Sequence, residues 1–300
     1  MRVRVAVPAS VANLGPGFDI LALALQLQND IRAEQVDGDD LTIDPGPGAP
    51  DEFHDPSRNL VSRAYVYASE VVLGVQAGGV HFSCVNRIPI GRGLGSSAAA
   101  VLAGVLTASA FHRAPWDEND VLNHAEALEG HRDNVAAALL GGLAICSPGA
   151  PAAQLAVADA LRAVLFVPDA AFETAESRIV VPDEFSRADA IFNASRCALL
   201  VRALALGDHD SLRIAMQDRW HQDARFALIP GARAIVDAAN EAGASGAALA
   251  GAGPSVVALT PLDPQPISSA MELAAVAAGV AGRIMVLPPR NYGTRVDVSA

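Results

Sequence analysis

The chain has 300 residues, 51% of them apolar, and a formal net charge of -12, which is length and hydrophobicity enough for two ordinary domains or one large one. The acidic balance argues against nucleic acid as a partner, because neutralising phosphates needs clustered cations and the arginines here are scattered. All 21 basic residues are arginine and lysine is absent, which excludes the Walker loop, the protein-kinase strand lysine and the pyridoxal Schiff base.

The start alternates: "RVRVAVPA" has a strand pattern, "NLGPGFD" is a glycine turn, and "LALALQLQ" and "DIRAEQV" also read as extended, so an antiparallel sheet is expected near the N-terminus. No apolar run approaches the roughly eighteen residues of a membrane span, and "MRVRVAVPAS" lacks the apolar core of an export signal. A soluble, cytoplasmic protein is expected. Cys84, Cys146 and Cys197 are widely spaced within apolar runs and read as packing thiols. "PGPGAPDEFHDPSRN" is a loop, "LVSRAYVYASEVVLG" a helix, and "GVHFSCVNRIPI" a strand. From Leu94 a long helix runs to about Phe111, another reaches Glu129, and a third starts at "DNVAAALL" and stops at Gly141 and Gly142. "LAICS" and "LRAVLFVP" are strands around "PGAPAAQLAVADA", the expected boundary between domains 1–152 and 153–300. Helices are expected over "ADAIFNASRCALLVRALALG", "HDSLRIAMQDRWHQDARF" and "GARAIVDAANEAG", followed by strands and a helix in "GAALAGAGPSVVALT", "ISSAMELAAVAAGVAG" and "RIMVLP". Strands and helices mix without regular β-α-β alternation, which makes the class α+β.

Four stretches concentrate polar or glycine residues. "PIGRGLGSSAAA", Pro89–Ala100, lies where a strand ends and a helix begins. It is either a glycine-rich turn capped by serines or an anion cradle built from unpaired helix N–H groups. "EGHRDNVAAALLGG" brings Glu129, His131, Asp133 and Asn134 to a helix start; a carboxylate there can hold Mg²⁺, or Asp133 simply caps the helix. "HRDN" matches the protein-kinase catalytic loop, but that pattern wants an asparagine where Ala138 stands. "VANLGPGFD" and "GAALAGAGPSVVALT" read singly as hairpin turns, the alternative being close approach of backbone to a ligand.

In this order the stretches resemble the GHMP kinases. "PIGRGLGSSAA" is similar to that superfamily's P-x-x-x-G-L-G-S-S-A-A motif, and "LAGAGPSVVAL" to its glycine-rich third motif. Within the superfamily the chain is most similar to homoserine kinases, through "SVANLGPGFD", "EGHRDNVAA", "TAESR" (Thr174 to Arg178) and "HQDARFALIP" (His221 to Pro230). The resemblance implies a two-domain GHMP kinase fold, with an N-terminal domain like the second domain of ribosomal protein S5, a ferredoxin-like C-terminal domain, the site between them, and a homodimer. It implies ATP, with Asn59 near the adenine and Pro89, Ile90, Gly91, Arg92, Gly93, Leu94, Gly95, Ser96, Ser97, Ala98 and Ala99 around the triphosphate, and Mg²⁺ on Ser97 and Glu129, with Glu126 as a rival ligand. For L-homoserine it implies Asn13, Asp19, His131, Asn134, Arg178, Arg225 and Gly253. Asp19 is expected near the ammonium or hydroxyl, and the two arginines are expected on the carboxylate, which a guanidinium fork pairs bidentately. Catalysis is expected from Asn134, Asp19, Glu129 and Arg178, with Arg92 and the helix N-terminus neutralising developing charge. Arg132 and Ala137 replace two common prolines of the pattern, which is expected to alter the helix entry.

Overall fold

A computed structural model describes residues 1–172 and 174–300. Among the described residues eleven strands form two sheets. The first sheet starts from the hairpin of β1 (Arg2–Asn13) and β2 (Gly17–Gln35). "LALALQLQ" and "DIRAEQV" are therefore one strand of 19 residues. β3 (Leu41–Asp44) and β4 (Val80–Val85) follow, paired in parallel. β5 (Leu143–Ile145) pairs with β2, and β6 (Ala153–Leu155) pairs with β5.

The second sheet holds β7 (Arg162–Pro168), β8 (Gly246–Leu249), β9 (Val256–Thr260) and β10 (Gly282–Leu287). Its order is β10-β7-β9-β8 with every pairing antiparallel, the expected ferredoxin-like arrangement. β11 (Arg295–Ser299) then returns to pair with β1. The expected division after residue 152 thus departs from the sheets: β6 and β11 both belong to the first one. β3, β6 and β11 escaped the sequence reading because each is short and sits next to one neighbour, and β6 and β11 have no buried residue.

Of helices α1 (Leu60–Val66, continued by a π-turn over Tyr67–Val72), α2 (Ser96–His112), α3 (Glu118–Glu129) and α4 (Asp133–Leu140), α2 and α4 pack on the first sheet and α1 and α3 pack on α2. α5 (Thr174–Ile179), α6 (Arg187–Leu206), α7 (Leu212–Ala215), α8 (Gln222–Phe226) and α9 (Ala232–Glu241) lie between β7 and β8, and α10 (Gln265–Ala277) between β9 and β10. β7 is buried on both faces and alternates between two cores. Val164 and Phe166 join Ile235 of α9 and Met271 of α10, whereas Ala163, Leu165 and Val167 join the main core with Leu200 of α6. A strand that serves two cores reads as a continuous apolar run, as "LRAVLFVP" does. Among the described residues no helix is long and apolar enough to cross a membrane.

The helix expected over "HDSLRIAMQDRWHQDARF" is broken. A 3₁₀ turn at His209–Ser211 leads into α7, the chain then leaves helical form, and α8 begins at Gln222. Asp218 enforces the break: its Oδ2 accepts the N–H groups of His221 (2.9 Å) and Gln222 (2.8 Å), while its Oδ1 accepts from Trp220 (3.1 Å). Periodicity does not register this, because side-chain capping competes with the helix ladder without changing the apolar pattern.

Candidate active site

A cleft of about 550 Å³ lies between the two sheets' domains. The β1–β2 turn, the glycine loop with the start of α2, the start of α4, and the α5, α8 and 251–252 segments all contribute to its wall. Most of the polar residues singled out from the sequence meet here although they are far apart in the chain: Asn13, Asp19, Ser97, Glu129, His131, Asn134, Arg178 and Arg225.

The glycine loop ends in Gly95, the N-cap of α2, at φ +74°. A Cβ on Gly95 would stand 2.2 Å from the Ser10 Oγ, and one on Gly93 would stand 2.3 Å from the Ala250 carbonyl oxygen. These glycines are needed because the loop is wedged against β1 and the 250–253 turn at left-handed φ, which no side chain fits. The wedge aims the first turn of a 17-residue helix at the cleft, with Gly95, Ser96 and Ser97 on its wall. Its unpaired N–H groups and positive dipole end suit an anion. The other loop positions have different places. Leu94, Ala98 and Ala99 are buried in the core. Pro89 faces a neighbouring cavity, and Gly253 stands behind the loop, its carbonyl 2.6 Å from where a Gly93 Cβ would be.

Arg92 and Asn59 depart from expectation. The Arg92 guanidinium donates to the carbonyls of Pro168 (2.8 Å), Ile90 (2.8 Å), Gly91 (3.4 Å) and Asp169. It splints the loop to the end of β7, which leaves little of its donor set for a phosphate. Asn59 caps α1, accepting from the Val61 N–H (2.9 Å) and donating to the Phe53 carbonyl (3.0 Å), so its amide shapes the cleft wall from within.

The Ser97 hydroxyl donates to Glu129 Oε1 at 2.5 Å. Burial is the main influence on Glu129 and raises its pKa; the Ser97 bond and His131 act in the opposite direction. Glu126 lies apart, bound to Arg132 Nη1 at 2.7 Å. Arg132 also takes the side-chain oxygens of Asn119 (2.7 Å) and Asn123 (2.8 Å), so it ties α3 to the entry of α4 where a proline is common. A hydroxyl and a buried carboxylate side by side fit Mg²⁺, a hard ion that takes few protein oxygens and fills the rest with water and phosphate. Among the described residues no cluster of three or more His, Cys, Asp or Glu offers an all-protein metal site.

His131 stands between two carboxylates, its Nδ1 3.0 Å from Asp133 Oδ1 and its Nε2 3.6 Å from Glu129 Oε1. Burial opposes its charge, but the Asp133 hydrogen bond and the two negative charges outweigh burial and raise its pKa. Asp133 is the first residue of α4, almost fully buried, and orients His131 rather than meeting solvent. Asn134 accepts the Ser10 hydroxyl through Oδ1 (2.8 Å), so its amide N–H is the end left for a ligand.

At the far end Arg178 forms two hydrogen bonds to Asp19, Nη1 to Oδ2 at 3.0 Å and Nη2 to Oδ1 at 2.6 Å. Asp19 has φ +57°, and Asn13 and Leu14 of the same turn have φ +70° and +48°, a cluster of left-handed residues of the kind held at functional sites. Asn13 is anchored by donating to the Gly251 carbonyl at 2.9 Å. Arg225 is 1% exposed. Its Nε donates to the Ser177 carbonyl (3.2 Å), and its Nη1 meets His221 Nδ1 (3.0 Å) and the Gly251 carbonyl (3.3 Å). Burial, then the positive charge of Arg178, lowers its pKa to about 10. Neither arginine therefore presents a free fork: Arg178 is docked on Asp19 and, among the described residues, only Nη2 of Arg225 has no partner. Phe18, unremarked in the sequence, lies under both, its ring centre 5.5 Å from the Arg178 guanidinium and 5.1 Å from that of Arg225. Glu173 and the side chains of Thr174–Glu176, within or beside the "TAESR" motif, lie outside the described residues.

Comparison with known proteins shows the family and the fold. The GHMP kinases N terminal domain family matches residues 59–142, and the GHMP kinases C terminal family matches residues 200–278. A homoserine kinase from Synechococcus sp. is 39% identical over 304 residues, covering 99% of this chain and 98% of its own. The crystal structure of homoserine kinase from Cytophaga hutchinsonii superposes with a TM-score of 0.86 at 28% identity, covering 99% of this chain and 97% of its own. A mevalonate kinase from Methanococcus jannaschii shares the fold, with a TM-score of 0.68 at 15% identity over 95% of this chain and 98% of its own.

Proposed function

The chain belongs to the GHMP kinases, in the homoserine kinase family, and on that premise we propose that it transfers a phosphoryl group from ATP to the side-chain hydroxyl of L-homoserine. The observation that carries this is one cleft with two chemically different ends. One end has the N-terminus of α2 with the Ser97–Glu129 pair, and the other has Asp19, Arg178 and Arg225. The first suits a polyanion. The second suits an amino acid: a ligand carrying both an ammonium and a carboxylate replaces the Asp19–Arg178 pair like for like, the ammonium on Asp19 and the carboxylate on Arg178 and Arg225 Nη2. A sugar has neither charge and an isoprenoid hydroxy acid lacks the ammonium.

In this reading Ser97 and Glu129 would hold Mg²⁺, and the ion would supply charge neutralisation for the phosphate oxygens. The chain does the rest by position, as phosphoryl transfer through a loose transition state requires. The first-turn N–H groups of α2 receive the charge that develops on the transferring group. The Asn134 amide N–H orients the acceptor hydroxyl oxygen. An amide is no base, and in this binding mode Asp19 is occupied by the substrate ammonium, so the hydroxyl proton leaves late, to a phosphate oxygen. A cytoplasmic homodimer belongs to the same reading; a monomeric mass by light scattering removes the dimer from it.

The test is ADP release over a panel of homoserine, serine, threonine, mevalonate and galactose. Turnover with homoserine well above the others is expected. Turnover with mevalonate or galactose and none with homoserine overturns the assignment.

A further inference from the structure

His221 is fully buried and sits where two domains and two polar systems meet. Its Nε2 is 2.8 Å from the Gly15 carbonyl of the β1–β2 turn, and its Nδ1 is 3.0 Å from Arg225 Nη1. A carbonyl can only accept and a guanidinium can only donate. The ring is thereby set in one tautomer: Nε2 carries the hydrogen and donates to Gly15, and Nδ1 presents its lone pair to Arg225. The Gly15 carbonyl is itself fixed, since the turn is packed so closely that a Cβ at Gly15 would lie 2.1 Å from the Met216 carbonyl oxygen. Asp218 holds the backbone of His221 from the other side.

We propose that His221 is a positioning residue: it receives Arg225 Nη1 on Nδ1, aims the remaining Nη2 into the cleft, and so sets the site's affinity for the carboxylate of the acceptor amino acid. This rests on the function proposed above. The geometry supports it because the other two partners of Arg225, the Ser177 and Gly251 carbonyls at 3.2 and 3.3 Å, are longer. His221 also ties the guanidinium to the turn bearing Asn13, Phe18 and Asp19 through its bond to Gly15. Its ring lies tilted against Phe18, centroids 5.2 Å apart, and Phe18 lies beneath both arginines. Loss of one hydrogen bond to a buried charge leaves a strong donor unsatisfied and free to turn.

The experiment measures kcat and KM for homoserine and for ATP in the full chain and in His221 variants, with a thermal melt to confirm folding. His221→Asn keeps an acceptor at the Nδ1 position, and His221→Gln keeps a donor at the Nε2 position; His221→Leu keeps neither. Expected are a KM for homoserine raised about tenfold or more in the Leu and Gln variants, recovery in the Asn variant, a KM for ATP within about twofold throughout, and a kcat changed far less than KM. On an Arg225→Met background, His221→Leu should add less than about twofold to KM, because its effect runs through Arg225. An unchanged KM in folded Gln or Leu variants overturns the proposal. So does an equal loss on the Arg225→Met background, or a uniform fall in kcat with both KM values raised alike. A wild-type chain active on the panel but inert toward homoserine overturns the function and this role together, and is distinguished by the wild-type measurement alone.

Discussion

At the scale of single residues, the choice between two carboxylates for the proposed Mg²⁺ rests on side-chain direction. Glu126 and Glu129 are both on α3, but Glu129 meets the Ser97 hydroxyl while Glu126 meets Arg132. Replacing Glu129 with Gln is expected to raise the Mg²⁺ concentration for half-maximal activity by on the order of tenfold or more, and Glu126→Gln is expected to leave it near wild type. Metal titrations of ADP release at saturating homoserine read both; the reverse ranking transfers the role to Glu126. Arg92 teaches a similar lesson. An arginine inside a phosphate-loop motif invites a role on phosphate, yet four carbonyls take its donors. A motif specifies which residue types are present and leaves open which neighbour takes each donor. The arginine pair was legible as two cations in register, but their docking on Asp19 and His221 depends on contacts across 159 residues and on a broken helix.

At the scale of elements, the glycine loop works by close packing. Gly95→Ala places a Cβ 2.2 Å from the Ser10 Oγ at φ +74°, a backbone state that costs a non-glycine residue about 1–3 kcal/mol before the clash is counted. A destabilisation of at least that size is expected in urea unfolding, with a rise in KM for ATP as α2 shifts; full stability and unaltered KM would refute the wedge. The existence of the loop, of α2 and of the strand–turn–strand around Gly251 was legible, since glycine punctuation and apolar periodicity are local signals. The α7–α8 break was hidden because Asp218 acts by capping. Arg132 is a further case: its three side-chain partners on α3 hold the α4 entry that a proline would hold by its ring.

For the whole molecule, His221 links pH to stability. Burial is the first cause that lowers its pKa, from 6.5 to about 4, with Arg225 acting in the same direction. An unfolded chain takes up that proton as pH falls below about 6.5, and the folded chain resists it until about 4. The group's contribution is thus fully present above pH 6.5 and is lost as pH falls toward 4. Urea unfolding at pH 7 and pH 5 is expected to show a loss that is smaller in His221→Asn; an identical loss would show that other groups carry it. The same residue joins the β1–β2 turn to α8, so acid sensitivity and site geometry are properties of one contact between domains.

The chain by itself determined the α+β class, the exclusion of lysine chemistry, the elements with strong periodicity, and the identity of the polar residues, because composition, spacing and motif are local and do not need a partner. Only the tertiary structure decided that β6 and β11 return to the first sheet, that Asp19 holds Arg178, that Glu129 and not Glu126 meets Ser97, and that Arg225 is reached through His221. Each of these depends on which of several chemically equivalent neighbours comes within hydrogen-bond distance, and that is fixed by how two sheets and their helices pack around a shared core.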